Sequence, residues 1–350
     1  MKTEYIILDH NEPEAARTAI ELAGRILRQG GLVAFPTETV YGLGANGLDA
    51  AAVGRIFQAK GRPADNPLIL HIAEREDLAP LVREVPAWLE PLLDRFWPGP
   101  LTVVLPRAAC VPDIVTAGLD SVAVRLPSSA VARALIRSAG VPVAAPSANL
   151  SGRPSPTTAA AVMADMAGRV ELVLDDGACE VGLESTVLDC TAEIPTILRP
   201  GGVTQEMLEA CLGQVQASGS EALSAATVPR APGMKYRHYA PAAPLLLFPC
   251  DAIEGEDGLL QRLLAAKNAG GKVGAVVSPE VAALLPDGVE IAIHGSRQDP
   301  AAAAAGLYQA LRWFDTHPVD VIFAEGVPEQ GIGRALMNRL GKAAGTVEEE

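Results

Sequence analysis

Aromatic side chains are scarce in this chain, at 4% of 350 residues, and so are cations: 28 Lys and Arg stand against 42 Asp and Glu, a formal net charge of -14. That acidic balance excludes a broad polyanion-binding surface, so nucleic acid would be bound weakly or indirectly, through a local patch. The five cysteines (Cys110, Cys179, Cys190, Cys211 and Cys250) are scattered, with no C-x-x-C pair. Such spacing fits reduced, structural thiols and argues against a zinc site. No apolar run reaches the roughly 18 residues that span a bilayer. The opening MKTEYIILDHNEPE has acids and a proline where a signal peptide needs an apolar core. A soluble, cytoplasmic protein without a membrane partner is therefore expected. Also missing are the nucleophile elbow G-x-S-x-G, the zinc helix H-E-x-x-H and the phosphate loop G-x-x-x-x-G-K-[ST]. With no covalent nucleophile paired to a base, the chemistry left open is transfer between bound substrates, driven by positioning and charge neutralisation.

What is present is apolar and periodic. Hydrophobic residues make up 49% of the chain and charged ones 20%, which excludes disorder, and the length suggests two domains. Residues 14 to 29 carry Ala16, Ile20, Ala23, Ile26 and Leu27 at helical spacing. The richest stretch, Gly30 to His71, opens on a strand, Leu32–Phe35, and then places Thr37, Glu38, Thr39 and Tyr41 within five residues. Gly42 and Gly44 are expected to let the backbone bend or approach a ligand. A helix over Ala50–Lys60 then delivers Lys60, Arg62 and Asn66, before an apolar run that ends at His71. Polar and cationic groups at strand ends sit where open α/β sheets bind ligands.

Further on, Leu101–Leu105 and Ser121–Leu126 read as strands, with Arg125 among apolar neighbours, an expensive place for a charge unless a partner meets it. That partner is either an internal carboxylate or a ligand carboxylate, which the planar guanidinium suits. Val141–Ala145 leads into Ser147, Asn149 and Ser151; Ser155 and Thr157 are candidates for anion donors or for helix N-caps. Glu184–Asp189 pairs with Thr196–Arg199, and Arg199 ends its strand. Residues 213 to 230 read as a linker. Next comes APGMKYRHYAP, which packs Lys235, Arg237 and His238 between Tyr236 and Tyr239 in a chain poor in cations and aromatics. From residue 245 onward strand and helix alternate, predicting a smaller Rossmann-like parallel α/β domain. Gly331 and Gly333 read as turn residues. The expected divisions are 1–215, a linker over 216–244, and 245–350.

The strings PTETVYGLG, KGRP-x-x-NPL, SAN-x-SG-x-x-SPT, EST-V and LRPG together resemble the threonylcarbamoyl-AMP synthase family, whose core is the YrdC-like domain. The linker and second domain resemble its longer, two-domain type. The resemblance implies a YrdC-like twisted mixed sheet with helices, and a nucleotidyltransferase that condenses L-threonine, bicarbonate and ATP to threonylcarbamoyl-AMP and pyrophosphate. Carried over by motif, Thr39, His71, Arg125 and Ser185 would hold threonine. Lys60, Arg62, Asn66, Ser121, Ala145, Ser147, Asn149, Ser155 and Arg199 would line the ATP site, with Lys60 and Arg62 serving rate more than fold. Tyr236 and Tyr239 would belong to a lid. Mg2+ would arrive with ATP, with no protein ligand of its own. The product would pass to a tRNA threonylcarbamoyl-transferase complex that modifies adenosine beside the anticodon.

Overall fold

The structure, a computed structural model, describes residues 1–217, 229 and 238–345. They fall into two compact units, residues 1–151, 156–180 and 184–217 with 229 in the first, and 152–155, 181–183 and 238–345 in the second.

The first unit is built on strands β1 (Glu4–Ile7), β2 (Val33–Phe35), β3 (Gly42–Asn46), β4 (Ile69–His71), β5 (Leu101–Pro106), β6 (Ser121–Arg125), β7 (Val143–Ala144), β8 (Leu172–Asp175), β9 (Thr186–Asp189), β10 (Thr196–Arg199) and β11 (Gln216–Ala217). They form one mixed sheet of order β1-β8-β2-β3-β7-β4-β6-β5-β9-β10-β11. Period-2 alternation divides its apolar residues between layers. Val33 and Phe35 face Ala19, Ala23 and Leu27 of helix Pro13–Arg28 and Leu135 of helix Ala130–Ala139. Leu32 and Ala34 face the opposite core, with Val53 and Ile56 of helix Ala50–Lys60. That helix is capped at one end by Asp49, which accepts from the Ala51 and Ala52 amides, and stops at Gly61 in the left-handed conformation. A third patch, Ile69, Val104, Ala123, Val187 and Leu198, lies across β4, β5, β6, β9 and β10.

Two local expectations are corrected. Gly42 and Gly44 lie in a strand, not a bend: β3 pairs antiparallel with β2, and a Cβ at Gly44 would come within 2.9 Å of both Phe35 and Val143. Neither Ser155 nor Thr157 caps the following helix; Thr158 does, accepting from the Ala161 amide. Residues Arg75–Leu81 form a 3-10 helix, whose Pro80 cannot supply an α-helical donor.

The second unit holds β12 (Leu245–Phe248), β13 (Val273–Val277), β14 (Glu290–Ile293) and β15 (Val321–Glu325), all parallel, in the order β12-β15-β13-β14. Val273, Ala275 and Val277 pack on Leu259 and Leu263 of helix Leu259–Asn268, whereas a Cβ at Gly274 would point into Phe314, just past helix Pro300–Trp313. The sheet is thus covered on both faces, as a parallel sheet requires. Gly331 precedes helix Ile332–Ala344 as expected, but Gly333 is not a turn residue: it lies in the helix's first turn, where a side chain would strike the Pro328 carbonyl. Among the described residues no helix is long and apolar enough to cross a membrane.

Candidate active site

Strand register assembles the polar side chains into a row. His71 pairs with Arg125, Arg125 with Thr102, Thr102 with Val187, and Val187 with Arg199. Partners in adjacent strands project to the same face. Four chemically active side chains from four strands therefore line one side of the sheet.

The row is bonded through its hydroxyls. Arg125 donates from Nη1 to Thr39 Oγ1 at 2.8 Å and from Nε to the Gly99 carbonyl at 3.3 Å, and its Nη2 lies 2.7 Å from Glu38 Oε1. The Thr37 hydroxyl donates to the Val40 carbonyl at 2.7 Å, so the 2.8 Å contact between Thr37 and Thr39 must be a bond donated by Thr39. A hydroxyl has one proton to give; hence Thr39 meets any ligand as an acceptor. On the other side of Arg125, Thr102 and Ser185 share a 2.7 Å hydroxyl contact. Arg199 donates to the Ser185 carbonyl from Nε at 3.1 Å and from Nη2 at 3.0 Å, and reaches Ser185 Oγ at 3.2 Å.

Burial sets the charges. Arg125 and Glu38 are 4% and 7% exposed. Burial pushes the Glu38 carboxyl up, but the adjacent Arg125 guanidinium outweighs it and holds the group below the usual carboxylate range. His71 is driven down to about 3, first by burial and then by the Arg125 charge. It is therefore a neutral imidazole; its 3.3 Å contact with the Ile69 carbonyl places the proton on Nδ1 and leaves Nε2 an acceptor. Burial likewise pushes the Cys179 thiol up to about 12, so it is no nucleophile.

A second cluster gathers around the amino end of β4. The Lys60 ammonium is buried and donates to the carbonyls of Ser147 and Asn149 and to Asn149 Oδ1. Those acceptors match its three donors. Arg62 donates to the carbonyls of Asn66 and Pro67, just ahead of β4, and the buried Asn66 Oδ1 has no hydrogen-bond partner among the described residues. The Ala145 amide donates to the Ile69 carbonyl, and Ser147 bridges to Gly42, so the 145–149 loop lies beside the same strand. Between cluster and row lies the apolar patch of Ile69, Ala123 and Val104.

The structure thus brings together Thr39, His71, Arg125 and Ser185, with Arg199 beside them, and separately Lys60, Arg62, Asn66, Ala145, Ser147 and Asn149. Arg199 is bonded to Ser185 and not to the Lys60 loop. Its strand is four positions from β4, roughly 19 Å across a flat sheet. Ser121 opens β6 and Arg125 closes it, about 13 Å apart at the usual strand rise. Ser155 is buried and is grouped with the second unit, and Tyr236 lies outside the described residues. Tyr239 belongs to the second unit, where it stacks on Tyr308 at 5.4 Å beneath the Arg339 guanidinium. Arg125 has an internal carboxylate partner in Glu38. Lys60, expected to serve rate more than fold, is a buried ammonium that donates to three acceptors in the loop it touches. Thr102 was missed; its only signal is one hydroxyl among the β-branched residues of β5.

A site of this kind, with charge concentrated at the strand ends of a twisted mixed sheet, defines a binder of anionic small molecules. Residues 25–201 match the family described as telomere recombination (Sua5, YciO, YrdC), and residues 203–345 match the threonylcarbamoyl-AMP synthase C-terminal domain. The chain is 48% identical to a threonylcarbamoyl-AMP synthase of Pyrococcus abyssi over 93% of its own length and 94% of that protein. It is 47% identical to the Bacillus subtilis protein of the same name, over 97% and 95% respectively. The crystal structure of P. abyssi Sua5 complexed with L-threonine superposes with a TM-score of 0.88 at 45% identity, covering 98% of each chain. The chain belongs to the threonylcarbamoyl-AMP synthase family.

Proposed function

We propose that this protein is an L-threonylcarbamoyl-adenylate synthase, joining L-threonine, bicarbonate or CO2, and ATP and releasing pyrophosphate. The observation that carries the reading is the row His71–Arg125–Thr102 with Thr39 and Ser185 around it, in a chain similar along its whole length to a protein solved with L-threonine. Arg125 retains N–H groups for the amino acid's carboxylate, and Thr39 Oγ1 offers an acceptor to its one hydroxyl proton. The apolar patch of Ile69, Ala123 and Val104 suits a nucleoside, with the phosphates toward Lys60, Arg62, Ser147 and Asn149.

In the reaction, the threonine ammonium first loses a proton, and the resulting amine takes up CO2 to give a carbamate, losing a second. A carbamate oxygen then displaces pyrophosphate from the α-phosphorus. The groups that repel in that step are all anionic, so cations fixed before the substrates arrive lower the barrier without reorganising. Among the described residues no His, Cys, Asp or Glu group is arranged to hold a metal. Oxygens such as Asn66 Oδ1 and Ser147 Oγ fit a hydrated Mg2+ bound chiefly by the phosphates, where it would neutralise their charge. The product serves tRNA modification next to the anticodon, handed to a separate transferase complex.

The test is pyrophosphate release by the purified protein. It should require threonine and bicarbonate together; release that ignores threonine would overturn the assignment.

A further inference from the structure

Glu38, the carboxylate paired with Arg125 of the polar row, has chemistry that the reaction above does not use. Its carboxylate is 7% exposed and lies 2.7 Å from Arg125 Nη2, yet neither oxygen has a hydrogen bond of good geometry. The Ser128 amide and Glu38's own amide help hold its charge but lie off the line of a proper bond. An ionised carboxylate has about four acceptor positions, and leaving them empty away from water is costly. The other titratable groups that face it, His71 and Cys179, are both held neutral. Arg125 is thus the countercharge that Glu38 feels from this set, and Glu38 already cancels it.

That cancellation bears on what can bind. A ligand carrying only a carboxylate would leave the Glu38–Arg125 pair with an excess buried negative charge, which interiors penalise heavily. A ligand carrying a carboxylate and an ammonium adds no net charge, and each of its charges meets an opposite one. We propose that Glu38 binds the ammonium of the amino acid substrate, so that the Glu38–Arg125 pair selects a zwitterion over the corresponding hydroxy acid. The proposal rests on the functional reading above and adds a specificity-determining residue to it.

Isothermal titration of the full-length protein with L-threonine and with (R)-3-hydroxybutyrate, which lacks only the amino group, tests this. Wild type should bind threonine the more tightly by about 100-fold, the scale of a charged hydrogen bond together with the relief of excess charge. In Glu38→Gln, threonine should weaken roughly 30-fold while hydroxybutyrate is unchanged or tighter, so that discrimination collapses. Equal weakening of both ligands would mean that Glu38 merely shapes Arg125, and would overturn the proposal, as would unchanged threonine affinity. Should Glu38→Gln fail to fold, Glu38→Asp keeps the charge but withdraws it by one methylene. It should then weaken threonine more than hydroxybutyrate, and equal losses again overturn the idea. Failure of the functional reading shows separately, as wild-type protein that binds no threonine.

Discussion

Replacing Lys60 by alanine should unfold part of the protein's stability along with its activity. The ammonium is 3% exposed, and its donors meet the Ser147 carbonyl, the Asn149 carbonyl and Asn149 Oδ1. Alanine strands two backbone carbonyls beneath the loop, each costing about 1–3 kcal/mol if left without a donor. Water entering the vacated space recovers part of that, so a net loss of about 2–4 kcal/mol is expected. For a cooperative unit of this size each kcal/mol lowers Tm by roughly 2–4 °C, giving a drop of roughly 5–15 °C. Differential scanning calorimetry at neutral pH reads it directly. Lys60→Met separates the causes, since it keeps the alkyl stem and removes only the charge. If hydrogen bonds dominate, methionine and alanine fall together; if packing of the stem dominates, methionine stays near wild type. A Tm for Lys60→Ala within 1 °C of wild type would refute the reasoning and return Lys60 to a purely catalytic role.

Acid should destabilise the fold through His71. With its folded pKa near 3 and an unfolded value of about 6.5, only the unfolded chain takes up a proton between those values. Its contribution is intact above about pH 6.5 and declines below it by up to about 1.4 kcal/mol per pH unit, so His71→Gln should flatten the acid limb of a Tm–pH curve, and identical limbs would count against it. In the second unit, Glu325 is fully buried, accepts the Ser278 amide at 2.8 Å and pairs with Arg297. Glu325→Gln should cost about 2 kcal/mol in urea denaturation, and an unchanged midpoint would show that the pair is merely tolerated.

The elements were legible because their periodicities were clean. Helix Pro13–Arg28 and the β-branched runs of β5 and β6 sit where spacing placed them, as does the alternation of the second unit. Gly42 and Gly44 were misleading for a physical reason: sequence shows that a glycine is needed, not whether it serves a turn or the close approach of Phe35 and Val143. The site divides in the same way. Arg125 announced itself as a charge inside a strand, but its partner could not be named, because pairing across β2–β3 and β6 is set by sheet order and not by nearness in the chain. Thr102 and Glu38 were obscured for that reason. Each gains its role from a neighbour 83 or more residues away, Ser185 for one and Arg125 for the other.

The two ends of the site differ in how they hold their cations, and the difference follows their tasks. Lys60 is held by two carbonyls and an amide oxygen, neutral acceptors that orient an ammonium. Arg125 is gripped by a full carboxylate, which does cancel it. A triphosphate brings several negative charges and is best met by charge left over; a zwitterion brings none and is best met by a balanced pair. An acidic protein with few cations gains from this economy. The sheet separates β7 from β6 by one strand, which keeps the two kinds of site apart without a wall between them.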